Sequence, residues 1–586
     1  MLTEEEFRKI EEARKKWETD VLAPALKRFD VRECHNQYYT PLENKDFNYL
    51  EKVGLPGSFP FTGGIYPCVA PERVPSAGRG SELGSGKGLV RAGGYRGYGT
   101  AEDMRDYYLM LASEGSKAGP NLAFDLPTQL GYDSDHPWAS GEVGGTGVAI
   151  DTLRDFEILY EAFTGERDLD RIASNWTINA PCNIILAMYI ALAEKRGISP
   201  AKLRGTPQND ILKEYIARGC YIFPIKPAMR MVRDTFAFCA ENLPAMNMIS
   251  ICGSHMREAG ATAVQDLAFI LSNSIAYVQL GVDAGLDVDR FVPRFTWLGF
   301  GGSMDFFTEI ATSRAARRMW AEIMRDRFGA KNSRSWILRS NLWARSGEIS
   351  TTLQRPLNNL SRSIIGGIAS VFSGGDPQGG MGYPFDEPLG LGHSFEAWQL
   401  HNDAARIIEY EAKLSQVVDP LAGSYYVEGL TDKVQKEAEE LMSKIEEMGG
   451  SVGAIENGFM QKEIAKSAYQ FYKEVESGER MIVGVNCFTG ENEIEVMPKR
   501  VVPHPYDQER KATAEKRQIA NLQKVKKERD NAKVEVCLKE LKESARDDST
   551  NMIPTILEAV KAYATIGEIC GVLREEWGEY SPSFQF

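Results

Sequence analysis

Two runs of this 586-residue chain carry residue types that could do chemistry. The first is G-T-P-Q-N-D-I-L-K-E-Y-I-A-R, Gly205–Arg218. It reads as a strand end that hands Gln208 and Asn209 to a helix start. Arg218 follows about three helical turns later. The second run, I-C-G-S-H-M-R-E-A-G-A from Ile251, delivers Ser254 and His255 in the same way. An imidazole and a primary amide can each donate a hydrogen bond to a carbonyl oxygen and stabilise charge that builds there. A guanidinium suits a carboxylate, which it grips through two parallel charge-assisted hydrogen bonds. Each residue also has a purely structural reading: His255 as a helix cap, Gln208 as a turn residue, Arg218 as half of a surface ion pair. Two polar strand ends in one repeated pattern suggest a single site.

The elements that must position these groups recur along the chain. Short apolar or β-rich runs lie at 88–95, 121–126, 171–179, 203–208, 246–253, 290–297, 335–341 and 368–374. Helix-period stretches separate them at 101–115, 151–164, 183–195, 258–281 and 304–327, with Asp151 and Ser303 as expected helix starts. Eight strands alternating with helices predict an α/β fold, a (β/α)8 TIM barrel, with a doubly wound open sheet as the alternative. Strand C-terminal ends would then carry Tyr95, Asp125, Asn179, Gln208, His255, Arg294 and Asn341. Residues 1–60 read as an N-terminal helix and arm, 61–415 as the barrel, and 416–586 as a C-terminal helical region. The charged stretch 507–545 reads as a solvated helix or linker.

A formal net charge of -14 argues against nucleic acid as a main partner. Nine scattered cysteines form no C-x-x-C pair and no metal-ligand spacing, which predicts reduced thiols and a cytoplasmic setting. The acidic start M-L-T-E-E-E-F-R-K-I is not a signal peptide, and no apolar run reaches the length of a membrane span. G-S-G-K-G (84–88) lacks the spacing of a P-loop, although Arg73, Arg79 or Lys87 could meet a coenzyme phosphate. D-S-D-H-P (133–137) is better explained by cap and turn roles than by a metal.

The two opening runs do not stand alone. F-D-L-P-T-Q-L-G-Y-D-S-D-H-P (124–137), G-E-V-G-G-T-G-V-A-I-D (141–151), R-A-A-R-R-M-W-A (314–321), D-P-L-A-G-S-Y-Y-V-E (419–428) and G-E-R-M-I-V-G-V-N (478–486) accompany them in order. Together they closely resemble the large, acyl-CoA-binding subunit of the methylmalonyl-CoA mutase family, across most of the chain. The resemblance implies a barrel with the CoA arm along its axis. It also implies an adenosylcobalamin-dependent radical rearrangement of an acyl-CoA carbon skeleton.

Residue by residue, the resemblance implies that His255 and Gln208 hydrogen-bond the thioester carbonyl and that Tyr95 shields the radical. Thr177, Thr206, Asn247 and Arg294 match acyl-CoA contacts; Glu258 and Glu387 match positions near the deoxyadenosyl group or corrin. Arg218 matches the arginine that binds a free substrate carboxylate, which favours a dicarboxylic acyl-CoA. The departures are Ser254 in place of a family tyrosine, Asn341 and Trp343 in place of an H-x-Q pair, and Gly93 in place of an arginine. Loss of the ring at Ser254 would free space for a bulkier acyl substituent, as in an alkyl- or arylsuccinyl-CoA. Methylmalonyl-CoA or ethylmalonyl-CoA is the alternative substrate, and a non-catalytic barrel subunit that pairs with an active homologue is the rival reading. No D-x-H-x-x-G cobalt-ligating motif occurs, so cobalamin is expected on a separate small subunit of a heteromer.

Overall fold

A computed structural model describes residues 3–28, 39–67, 95–113, 116–340, 348–375, 395–490 and 508–582. Five short strands form where the apolar runs predicted them: β1 (Asn121–Ala123), β2 (Ser174–Thr177), β3 (Gly205–Gln208), β4 (Ile249–Cys252) and β5 (Phe295–Leu298). β1–β2–β3 and β4–β5 pair in parallel, and a parallel bridge from Gly205 to Met246 joins the two sets. Further parallel bridges add Arg96 beside Leu122, Val148 beside Phe124, and Ser340 beside Trp297. The result is one continuous parallel array running from the Arg96 segment to Ser340.

Side chains alternate across such strands. Trp176 and Trp297 point to one face, where their indole N–H groups donate to the Tyr160 hydroxyl (3.2 Å) and to Ser274 Oγ (2.9 Å). The other face carries Asn175, Thr206 and Thr296, all partly exposed although they lie within the array. Small polar residues bordering open space contrast with the branched apolar layers that usually fill a barrel. Helices cover the apolar face. Cys182–Lys195 is apolar around its whole circumference and is buried along nearly all of its length, as such a helix must be. Thr262 and Gln265 form a capping box at the start of Ala263–Asp283.

Two of the sequence motifs meet. Arg314 lies wholly buried between Asp419 and Glu428, and Arg318 donates to Asp432 and Gln435. Arg317 donates to the carbonyls of Phe61, Thr62 and Ser373. The R-A-A-R-R and D-P-L-A-G-S-Y-Y-V-E runs therefore fasten later helices to the array.

Several expectations are corrected. The run 368–374 is no strand; it ends the helix Asn358–Phe372, whose apolar residues recur every three to four positions. Ser333–Trp336 is a short 3-10 turn, and among the described residues of the run 335–341 it is Ser340 that forms a parallel bridge, with Trp297. Thr152 and Asp305, not Asp151 and Ser303, sit at the N-caps of their helices. The stretch 507–545 is not simply solvated. Helices Gln508–Glu528 and Asn531–Arg546 bury Ala514, Gln518, Leu522, Val534, Cys537 and Leu541. Gln518 donates to both Asp151 and Asp155, and Arg230 donates to the carbonyls of Ser544, Ala545, Asp547 and Thr550.

Candidate active site

β3 ends at Gln208 and β4 at Cys252, and one carboxylate ties these ends together. Asp210 accepts the N–H of Cys252 at 2.8 Å and the hydroxyl of Tyr277 at 2.7 Å. The Tyr277 oxygen in turn accepts the N–H of Leu212 at 2.9 Å. Burial pushes the Asp210 carboxyl above the usual carboxylate range, and the neighbouring Lys213 opposes that shift. The clip seats the helix turn Ser254–Glu258 beside the end of β3. His255 and Ser254 are half-buried there, with His255 Nδ1 3.5 Å and Ser254 Oγ 3.2 Å from Cys252 Sγ. Burial raises the pKa of the Cys252 thiol, which stays neutral.

Lys213, wholly buried, donates to Gln208 Oε1 at 3.1 Å, to Asn179 Oδ1 at 3.3 Å and to Glu214. Glu214 also accepts the N–H of Cys220 at 2.9 Å and Arg218 Nη1 at 3.2 Å. Arg218 Nη1 donates a second bond to Gln129 Oε1 at 2.6 Å. Its Nη2 and Nε have no hydrogen-bond partner among the described residues, and the side chain is 20% exposed. Burial acts to lower the Arg218 pKa, but the adjacent Glu214 carboxylate outweighs it and the group stays firmly cationic. Tyr95, about half exposed, lies within electrostatic reach of Arg218.

The structure thus brings Tyr95, Gln208, Arg218, Ser254 and His255 to one end of the array. Thr177 lies opposite Gln208 in register, and Glu258 is exposed at the end of the His255 helix turn. Thr206 sits deeper, where its Oγ1 accepts Asn247 Nδ2 at 2.7 Å; Asn247 Oδ1 accepts Arg339 Nη2 at 2.8 Å. Arg294 is not at a strand C-terminal end. It precedes β5, and its guanidinium donates to the carbonyls of Cys239, Leu243 and Met246, a scaffold role at the opposite end. Tyr95 is not at a strand C-terminal end either, since it precedes the paired residue Arg96, but it lies within electrostatic reach of Arg218 and so belongs to the site. Glu387, Asn341, Trp343, Gly93, Arg73, Arg79 and Lys87 lie outside the described residues.

The sequence reading missed Lys213, Gln129 and Arg339. Lys213 had a local signal, a lysine beside a glutamate in an otherwise apolar helix start. Gln129 and Arg339 had none, because only folding brings them to their partners. The site offers amide and imidazole groups for a carbonyl oxygen, with a guanidinium edge beside them.

Residues 33–579 match the family described as methylmalonyl-CoA mutase. The chain is 39% identical to the 2-hydroxyisobutanoyl-CoA mutase large subunit of Aquincola tertiaricarbonis, over 97% of each chain. It is 38% identical to methylmalonyl-CoA mutase of Escherichia coli (strain K12), over 83% of this chain and 65% of that one. It is 37% identical to the human mitochondrial methylmalonyl-CoA mutase, over 90% of this chain and 66% of the relative. The chain therefore spans about two thirds of the methylmalonyl-CoA mutases it matches, but almost all of the large subunit. The chain is an isomerase of the acyl-CoA mutase class. It belongs to the methylmalonyl-CoA mutase family.

Proposed function

We propose that this chain is the large subunit of an adenosylcobalamin-dependent mutase that interconverts a bulky substituted succinyl-CoA and a substituted malonyl-CoA. The observation that carries the reading is the unspent edge of Arg218, held by Gln129 and Glu214 beside Gln208 and Tyr95. That edge matches a carboxylate, while Gln208 and His255 address the thioester carbonyl. Ser254 leaves room for the acyl substituent. The parallel array closes into a barrel, and its polar inner face, with Thr177, Thr206 and Asn247, lines the path of the CoA arm. Residues 61–415 form this acyl-CoA-binding unit, and 416–586 pack against it and lead toward the small subunit.

Exposed Glu258 and Tyr95 fit the adenosyl side of a cobalamin. The described histidines do not fit a cobalt ligand: His136 caps a turn at Trp138, His255 faces Cys252, and His401 is buried. A separate small subunit would supply that ligand, in keeping with the name of the full-length relative. Adenosylcobalamin, when bound, supplies the carbon radical that takes and returns substrate hydrogen. This chain's residues orient the acyl group and exclude water around it. The cytoplasm is the setting we infer, consistent with seven described cysteines, all free thiols.

A second reading rests on the relative matched along its whole length, which by name acts on 2-hydroxyisobutanoyl-CoA. The deciding experiment omits components one at a time. Turnover should require this chain, a cognate small subunit and adenosylcobalamin together; turnover that persists without the cofactor would contradict the proposal.

A further inference from the structure

We propose that Lys213 is a positioning residue that fixes the polarity of the Gln208 amide, so that its N–H2 group faces the substrate thioester carbonyl. The inference rests on the proposed function, because it concerns how that carbonyl is held. An ammonium group has three donors and no acceptor. The Lys213 ammonium is wholly buried and meets three oxygens, those of Glu214, Gln208 and Asn179. Whichever amide atom faces it must therefore be oxygen. A glutamine at a strand end can otherwise flip its amide and present either end. Here the carbonyl end is pinned, and the N–H2 end of Gln208 has no partner among the described residues.

Asn179 is held by the same cation on the neighbouring strand end, in a left-handed backbone conformation with φ of 60°. Its own Nδ2 is buried without a protein partner. One lysine thus orients two amides and turns both donor groups away from itself. Its charge also draws electron density toward the Gln208 oxygen, which strengthens the N–H2 donor as negative charge gathers on the bound carbonyl. Glu214 keeps the buried ammonium in ionic company, and Arg218 shares that carboxylate.

The test measures binding by the full-length chain, so it does not depend on turnover. The probes are succinyl-CoA and 3-carboxypropyl-CoA, in which a methylene replaces the thioester carbonyl. The unaltered chain should prefer the thioester by about a hundredfold, the worth of two good hydrogen bonds, one from Gln208 and one from His255. Lys213→Met should lower the preference to about tenfold, and Lys213→Arg should keep most of it. Gln208→Glu retains an acceptor for Lys213 but removes the donor, so it should cut the preference to about tenfold, the share that His255 supplies, even if Lys213→Met fails to fold. An undiminished preference in Gln208→Glu, or in folded Lys213→Met, overturns the role of Lys213. No preference in the unaltered chain overturns the carbonyl reading itself and this inference with it. Loss of turnover with the binding preference intact would count against the radical reading alone.

Discussion

Replacing Arg218 by glutamine tests the substrate assignment where the structure is most explicit. One nitrogen of the guanidinium is committed to Gln129 and Glu214; Nη2 and Nε remain for a ligand. Two charge-assisted hydrogen bonds to a carboxylate contribute about 1.5–3 kcal/mol each, so their joint loss costs about 3–6 kcal/mol. That corresponds to a fall of about 10²- to 10⁴-fold in kcat/KM. The fold should tolerate the change, because Glu214 keeps Lys213 and the Cys220 N–H as partners. The assay compares a dicarboxylic with a monocarboxylic acyl-CoA on the assembled enzyme, with products separated by chromatography. The dicarboxylic substrate alone should suffer. Near-normal turnover of it, or an equal loss for both substrates, would refute the reasoning.

Other predictions concern the frame around the site. Arg314→Met strands the buried carboxylates of Asp419 and Glu428 and should destabilise the protein by about 3–5 kcal/mol; an unchanged denaturation midpoint would contradict this. Gln518→Leu removes the donor shared by Asp151 and Asp155. Limited proteolysis should then cut first within 508–582, whereas unchanged cleavage would show that the contact does not hold those helices. Burial pushes Asp266 up to about 8, with Arg257 pulling the other way. Its folded pKa lies above the unfolded value of about 3.9, so its contribution to stability is full below that value and is lost as pH rises through about 8. Asp266→Asn should therefore lose less Tm than the parent between about pH 5 and 8.5, and parallel curves would contradict the assignment.

The parts of the fold that were legible in the sequence are those in which local pattern and tertiary demand agree. The runs around Trp176, Ile251 and Trp297 are short, apolar or β-rich and bounded by polar residues, and each yields a strand. The run at 368–374 has the same composition, but Leu360, Ile364, Ile368 and Phe372 share a helical face. A short apolar run alone does not separate the two outcomes; the longer period does. Asp151 looked like a cap because aspartate commonly is one. Instead it accepts the Ser134 N–H and Gln518, and its neighbour Thr152 caps the helix. Arg294 was misplaced for a related reason. Its position in the run suggested a strand end, but the strand starts one residue later and the guanidinium serves three distant carbonyls. Gln208, His255 and Arg218 were visible by residue type and spacing. The bond from Lys213 to Asn179 was not, because that strand end approaches the lysine only in the folded chain.

The most direct test of the central claim is turnover by this chain with its cognate small subunit and adenosylcobalamin, offered a panel of acyl-CoAs. The panel holds methylmalonyl-, ethylmalonyl-, isobutyryl-, 2-hydroxyisobutanoyl-, alkylsuccinyl- and benzylsuccinyl-CoA, with skeletal isomers resolved by chromatography before mass spectrometry. Rearrangement confined to the bulky dicarboxylic thioesters is the predicted result. Rearrangement of 2-hydroxyisobutanoyl-CoA or isobutyryl-CoA in preference to every dicarboxylic substrate would contradict it.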